Sequence, residues 1–338
     1  MATKRRILLI SSAAILLLLL LLPSVMTGRR QVSHPPLPNP NGYDDIVQAS
    51  SQLIGATNLY SELNRETLQT LISNNTAALQ LVRTGLARTC SVPTDAALTN
   101  FASMQSHLAA FKSLARLLTQ EGRLAELDGR PRDAAQCYVD AIRLGQAISR
   151  GGFIINRLVG STCEIIGTVP LGKLVPNLSP ADAKHLAAEL EKLDQSAVTL
   201  DEVMQNENRY AYADLRKRHN PVAFAMARWT GLQDGQMSET AHQVISAHLR
   251  LISAELAVRS YQFEQRRLPA SLAQMVPQYL PRVPQDPFRA APMNYLVTKT
   301  NWLLYSVGRD EVDDGGKPVA HSAYGTIPKG DIFYDSPF

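Results

Sequence analysis

The sequence predicts an α+β protein: an N-terminal transmembrane helix, a mostly α-helical central domain, and a C-terminal spine helix with a small antiparallel β-sheet. Three observations carry this expectation. A charge-free apolar run fills residues 7–26, helical apolar periodicity dominates from Asp44 to about Thr230, and proline-punctuated turns followed by two β-prone runs occupy the end of the chain. The same observations mark four segments: an anchor at 1–28, a Pro-rich linker at 29–42, a helical domain at 43–238 and a terminal module at 239–338.

Ile7 to Met26 spans twenty residues without a charge, and Leu16 to Leu22 is unbroken leucine. At about 1.5 Å rise per residue such a helix reaches ~30 Å, the thickness of a bilayer core. A cleaved signal peptide has a similar basic start and apolar middle, but the exit Pro23-Ser24-Val25-Met26-Thr27-Gly28 lacks a small-x-small cleavage site. Lys4, Arg5 and Arg6 precede the run and Arg29 and Arg30 follow it, a bias that places the amino terminus inside and the body outside. The expected location is therefore a bacterial inner membrane, crossed once, with the body on the periplasmic side. Pro35, Pro36, Pro38 and Pro40 then make a semi-extended spacer.

Hydrophobic residues make up 45% and charged residues 19% of the chain, which permits a packed core and excludes global disorder. The formal net charge is +4, and the five cations flanking the anchor leave −1 for the remainder. The basic balance thus belongs to the membrane segment and gives no nucleic-acid surface. Cys90, Cys137 and Cys163 contain no CxxC pair, which argues against a zinc ribbon or thioredoxin-like site. One disulfide with a free thiol, or three buried thiols on helices, both fit.

In the helical middle, Ile54, Leu59, Leu63, Leu68, Leu71 and Ile72 recur at helical spacing, and Ala97 to Leu118 is rich in Ala and Leu. Ser179-Pro180 is a helix start, with serine as cap and proline in the first turn, opening a helix from Ala181 to about Arg218. Gly151 to Leu171 is apolar but interrupted by small residues, which suits a buried core helix better than a second membrane span. Gly122, Gly129, Ala134, Tyr138 and Ala141 resemble one tetratricopeptide hairpin. The resemblance implies closely approaching antiparallel helices, a gap filled by Tyr138, and a turn at Gly129-Arg130-Pro131. Gln146 stands where the repeat closes on proline, and a generic helical hairpin reads the same residues equally well.

A helix from about Glu239 to Gln265 carries Ile245, Leu249, Ile252, Leu256 and Phe263 on one face. Gly231, Asp234 and Gly235 weaken any helix before it and suggest a domain boundary near Trp229 to Met237. Met293 to Thr298 and Trp302 to Val307 read as strands around Lys299-Thr300-Asn301, and Asp331 to Tyr334 as a third.

Tyr261, Leu268-Pro269, Leu280-Pro281, Pro284-Gln285-Asp286-Pro287-Phe288, Pro292-Met293-Asn294-Tyr295, Leu304 to Asp310, Asp313 to Gly316 and Asp331-Ile332 give the last third of the chain its character. In order and spacing they resemble the C-terminal domain of major pseudopilins of type II secretion systems. The resemblance implies a spine helix on a small antiparallel sheet and a calcium-binding loop, with Asp310, Asp313, Asp314 and Asp331 as carboxylate ligands and Gly315-Gly316 as the bend. Calcium chemistry suits such a set, since the ion takes several oxygens. The rival reading is an acidic solvated loop with Asp at turn positions. Three departures stand out. About 210 residues separate the anchor from the spine helix, which the family joins directly. The prepilin-type cleavage signature is absent, and the glycine usual after Asp-Pro-aromatic is Arg289.

No HExxH, GxSxG, P-loop or dinucleotide fingerprint occurs. His185 and Glu189 share a helix face as half a metal site or, without a third ligand, as an exposed polar pair. The expected function is a non-catalytic interaction or structural role, with other envelope proteins as partners and no nucleic acid. An envelope hydrolase of unrecognised type and an accessory pseudopilin are the alternatives.

Overall fold

The computed structural model describes residues 36–55, 63–94, 101–211, 221–298, 301–319 and 328–336. The anchor expected at 7–26 lies outside them, as do half of the linker (29–35) and Leu59 of the first apolar series. Residues 37–338 form one compact unit, mostly helical, with a small two-stranded antiparallel sheet.

The body begins earlier than the expected linker end. Asn41 is already buried: its side chain accepts the Tyr43 N–H (3.2 Å), caps helix α1 (Gly42–Ser51), and exchanges bonds with the Ser91 backbone (2.8 and 3.0 Å). A Cβ at Gly42 would sit 2.2 Å from the Gly85 carbonyl, so α1 lies backbone to backbone on α3 (Thr76–Leu86). Between them runs α2 (Arg65–Asn74). The buried Asn75 joins α2 to α3 and bonds both the N–H and the C=O of Ile54 (2.8 Å each).

Three longer helices follow: α4 (Phe101–Leu127), α5 (Pro131–Ser149) and α6 (Ile154–Leu174). Gly129 turns the α4–α5 hairpin at φ 71°, a left-handed angle that costs glycine little. A Cβ on Gly122 would lie 2.4 Å from the Tyr138 ring, so the glycine makes room for the tyrosine. Gln146 does not close α5; the helix continues to Ser149. Against α6, Gly145 meets the Gly160 carbonyl and Gly167 meets the Tyr138 carbonyl (2.4 and 2.5 Å to a built Cβ). Residues 154–177 are apolar and long enough to cross a membrane, yet most of this helix is buried in the body, as the small residues suggested.

Helix α7 (Pro180–Gln195) starts as expected, with the Ser179 hydroxyl taking the Asp182 N–H (3.2 Å). It does not run to Arg218. It stops at Gln195, and Thr199 caps a new short helix, α8 (Leu200–Asn206), which passes into a π-helical turn at 207–211. The correction has a local cause: Thr199-Leu200-Asp201-Glu202 is a cap sequence, and its hydroxyl takes the Glu202 N–H (3.3 Å).

The largest difference lies at 229–237, where a break was expected. One helix, α9 (Pro221–Gln265), runs through Gly231, Asp234 and Gly235 without interruption. Packing overrides the low propensity of glycine because both sides of α9 are covered farther along. Ile245, Leu249, Ile252 and Leu256 pack with Tyr138, Ile142, Leu171, Leu186 and Leu190 of α5, α6 and α7. Ala247, Leu251, Ala254, Val258 and Tyr261 pack with Leu272, Met275, Leu280, Leu304 and Val307 of the terminal module. Phe263, expected on the first stripe, is 53% exposed.

Strand β1 (Asn294–Val297) pairs antiparallel with β2 (Trp302–Tyr305), Asn294 opposite Tyr305 and Val297 opposite Trp302. The third expected strand is reduced to single bridges, Ser306 to Ile332 and Pro318 to Asp331. Tyr334 then closes on α6, its carbonyl 2.5 Å from where a Gly172 Cβ would stand.

Candidate functional site

The acidic loop after β2 assembles around Asp331, whose residue is fully buried. Its carboxylate accepts the N–H groups of Gly316 (2.7 Å), Lys317 (3.1 Å) and Asp314 (3.4 Å). Its own N–H reaches the Lys317 carbonyl (2.7 Å). Burial pushes the Asp331 carboxyl up, against the pull of those N–H donors, and the neighbouring Asp313 charge pushes the same way. Asp313 accepts the Tyr305 hydroxyl and the Gly315 N–H (3.0 Å each) and has the Arg289 guanidinium at 3.7 Å. The Gly315 N–H holds its carboxyl below the usual range. Asp310 accepts the Val312 N–H at 3.4 Å.

In this arrangement the carboxylates are already engaged by groups of the chain itself. The lone pairs of Asp331 that face the loop are taken by N–H donors, and Arg289 already brings a cation to Asp313. Among the described residues no three acidic, histidine or cysteine groups converge as a metal set. Gly315 and Gly316, at φ 70° and 83°, supply the expected bend, but the bend wraps a carboxylate.

A second buried carboxylate, Asp286, was read only as part of a resemblance. Its oxygens accept the Ser306 hydroxyl (2.8 Å), the Val307 N–H (2.9 Å) and the Phe288 N–H (3.1 Å), tying the proline-rich loop to the end of β2. Asp-Pro followed by an aromatic is the local signal that could have found it.

A buried polar network crosses the helical layer and had no signature in the sequence. Arg157, 1% exposed, donates to Glu164 (2.6 Å) and to His242 Nδ1 (2.7 Å). A guanidinium only donates, so Nδ1 accepts and the imidazole is neutral. Burial and the Arg157 charge hold His242 down at about 4. Burial pushes Glu164 up while Arg157 opposes it. Beside them Asp194 accepts from Arg250 (2.7 Å), and Gln146 donates to the Leu193 carbonyl (3.0 Å). This arrangement ties α5, α6, α7 and α9 together. Its His lone pair is spent on Arg157 and cannot serve as a base.

A surface recess lies where the ends of α6, α7 and α9 meet. It encloses about 460 Å³ over a floor of Val175, Pro176, Leu178, Pro180 and Ala183. Its rim carries Arg259, Gln262, Phe263 and Arg266, and no carboxylate is among its lining residues. Arg259 is held by Glu255 (2.8 Å), which also takes the Trp302 indole N–H (2.8 Å). Arg266 ends α9 at φ 55°, where glycine is usual, and its guanidinium stands 5.0 Å from the Phe263 ring centre. A non-glycine residue in that conformation costs on the order of 1 kcal/mol.

Among the described residues no third ligand joins His185 and Glu189. His185 is 75% exposed, 3.9 Å from Glu189, and Glu189 pairs with Arg143 at 2.5 Å. The three cysteines are free and buried, with burial pushing each thiol up; Cys90 lies in a loop rather than on a helix. The chain matches no family model, no curated protein and no solved structure.

Proposed function

We propose that this protein is a membrane-anchored envelope protein with a non-catalytic role, whose body holds a short acidic and apolar segment of another envelope protein at the Phe263 recess. The observation that carries this reading is Phe263 itself, 53% exposed over an apolar floor, with two arginines on the rim and no lining carboxylate. Exposed aromatic and arginine side chains are the residue types that dominate binding energy at interfaces. The strained Arg266 adds support, since local strain kept at a helix end points to use. The pseudopilin-like order of the terminal module, and its helix on a small sheet, are consistent with an extracytoplasmic interaction module.

Peptide display on the full-length chain, purified in detergent, tests the site. Selected peptides should combine acidic and apolar residues, and Phe263→Ser should weaken them by roughly tenfold or more. Arg266→Gly should weaken them too while raising the melting temperature, because it relieves the left-handed strain. Peptides without acidic bias, or binding unchanged in both variants, overturn the proposal. Alkaline phosphatase fused after Pro36 should be active if the body lies outside; an inactive fusion overturns the location.

A further inference from the structure

A separate recess of about 320 Å³ opens between the loop after α3 and the outer face of α5. Three arginines line it, Arg88, Arg143 and Arg150, with Leu86, Ala147 and Cys90 as its apolar base and no carboxylate among the lining residues. The acids that pair with two of them stand outside that lining: Asp45 with Arg88 (2.6 Å), and Glu189 and Asp140 with Arg143 (2.5 and 3.5 Å). Arg150 differs. Its guanidinium donates to the Ser196 carbonyl (2.9 Å), and among the described residues no carboxylate lies within ion-pair distance of it.

The walls are fixed before any ligand arrives. The Val92 N–H bonds the Arg150 carbonyl and the Gly42 N–H bonds the Thr89 carbonyl (3.0 Å each), so the 88–92 loop is tied to α5 and α1. Burial keeps the Cys90 thiol neutral by pushing it up to about 11, so it adds no negative charge. Of the three guanidiniums Arg150 alone has no carboxylate partner among the described residues, so its charge is the one open to an added anion. Guanidinium groups match the paired oxygens of carboxylates and phosphates.

We propose that this recess binds a small organic oxyanion, a carboxylate or a phosphate monoester with a short apolar part, held by Arg150 and Arg88. The cavity exceeds the volume of a bare ion, and Leu86 and Ala147 supply contact for the apolar part. The site is distinct from the Phe263 recess and does not depend on it.

The test is calorimetry and thermal melting of the full-length chain with succinate or inorganic phosphate, against chloride at equal ionic strength. At least one probe should bind and raise the melting temperature, and the tighter one tells carboxylate from phosphate. Arg150→Gln should weaken that probe by roughly tenfold, and Arg150→Lys by less, since it keeps the charge and loses the fork. Arg88→Gln, on the opposite wall, gives the same readout should the Arg150 variants fail to fold. No stabilisation beyond chloride at tens of millimolar, or equal binding by the folded variants, overturns the assignment.

Discussion

Asp286 and Asp331 are buried carboxylates whose oxygens face N–H and O–H donors of their own module. A lone two-stranded hairpin is marginal in water, so a terminal module with one short sheet needs other ties. Each aspartate supplies several charge-assisted bonds to loop backbone and leaves orphaned donors if removed. Asp331→Ala should therefore cost about 2–3 kcal/mol in denaturant unfolding, and the loss should be equal in calcium and in chelator. A loss that appears only in calcium would restore the metal reading. In the sequence Asp331 is marked only by the pseudopilin resemblance, fifteen residues beyond Gly316. What could not be read was the direction of its lone pairs, because fourteen to seventeen residues separate it from its donors.

At the scale of elements, local chemistry was legible and length was not. Ser179-Pro180, the Gly129 turn and the two strands announce themselves within a few residues. The ends of α7 and the continuity of α9 depend on contacts that sequence spacing does not carry. Glycine in α9 illustrates the point. A Cβ on Gly235 would meet Leu200 and Met204 at 3.6 and 3.7 Å, ordinary contact distances. Gly235→Ala should thus stabilise the protein by about 0.5–1 kcal/mol, measured by thermal or chemical melting. Gly145→Ala is the contrast, because its Cβ would lie 2.4 Å from the Gly160 carbonyl. That change should push α5 off α6 and cost several times as much in the same assay. Equal effects would mean that the close approach of the two helices is not what Gly145 serves.

At the scale of the whole molecule, the Arg157–Glu164–His242 cluster links α6 to α9 with partners 7 and 85 residues apart, which is why no motif betrayed it. His242 is neutral in the fold and ordinary at about 6.5 in the unfolded chain. Its contribution is complete above that value. It is lost as pH falls towards about 4, because the unfolded chain takes up a proton that the fold refuses. The loss is on the order of 3 kcal/mol, and His242→Gln should flatten the fall of stability across that window. An unchanged slope would assign the acid sensitivity to other groups.

The sharing of α9 between two apolar layers has a consequence for how the chain must be made. Residues 131–195 leave the ribosome well before the helix that covers them, which begins at Pro221 and whose described packing against them runs from Ile245 to Leu256. Until then the nascent body carries an open greasy seam, the condition under which partly made proteins stick to one another. Stop codons placed after residue 238 should accordingly yield insoluble or degraded material rather than a stable helical fragment.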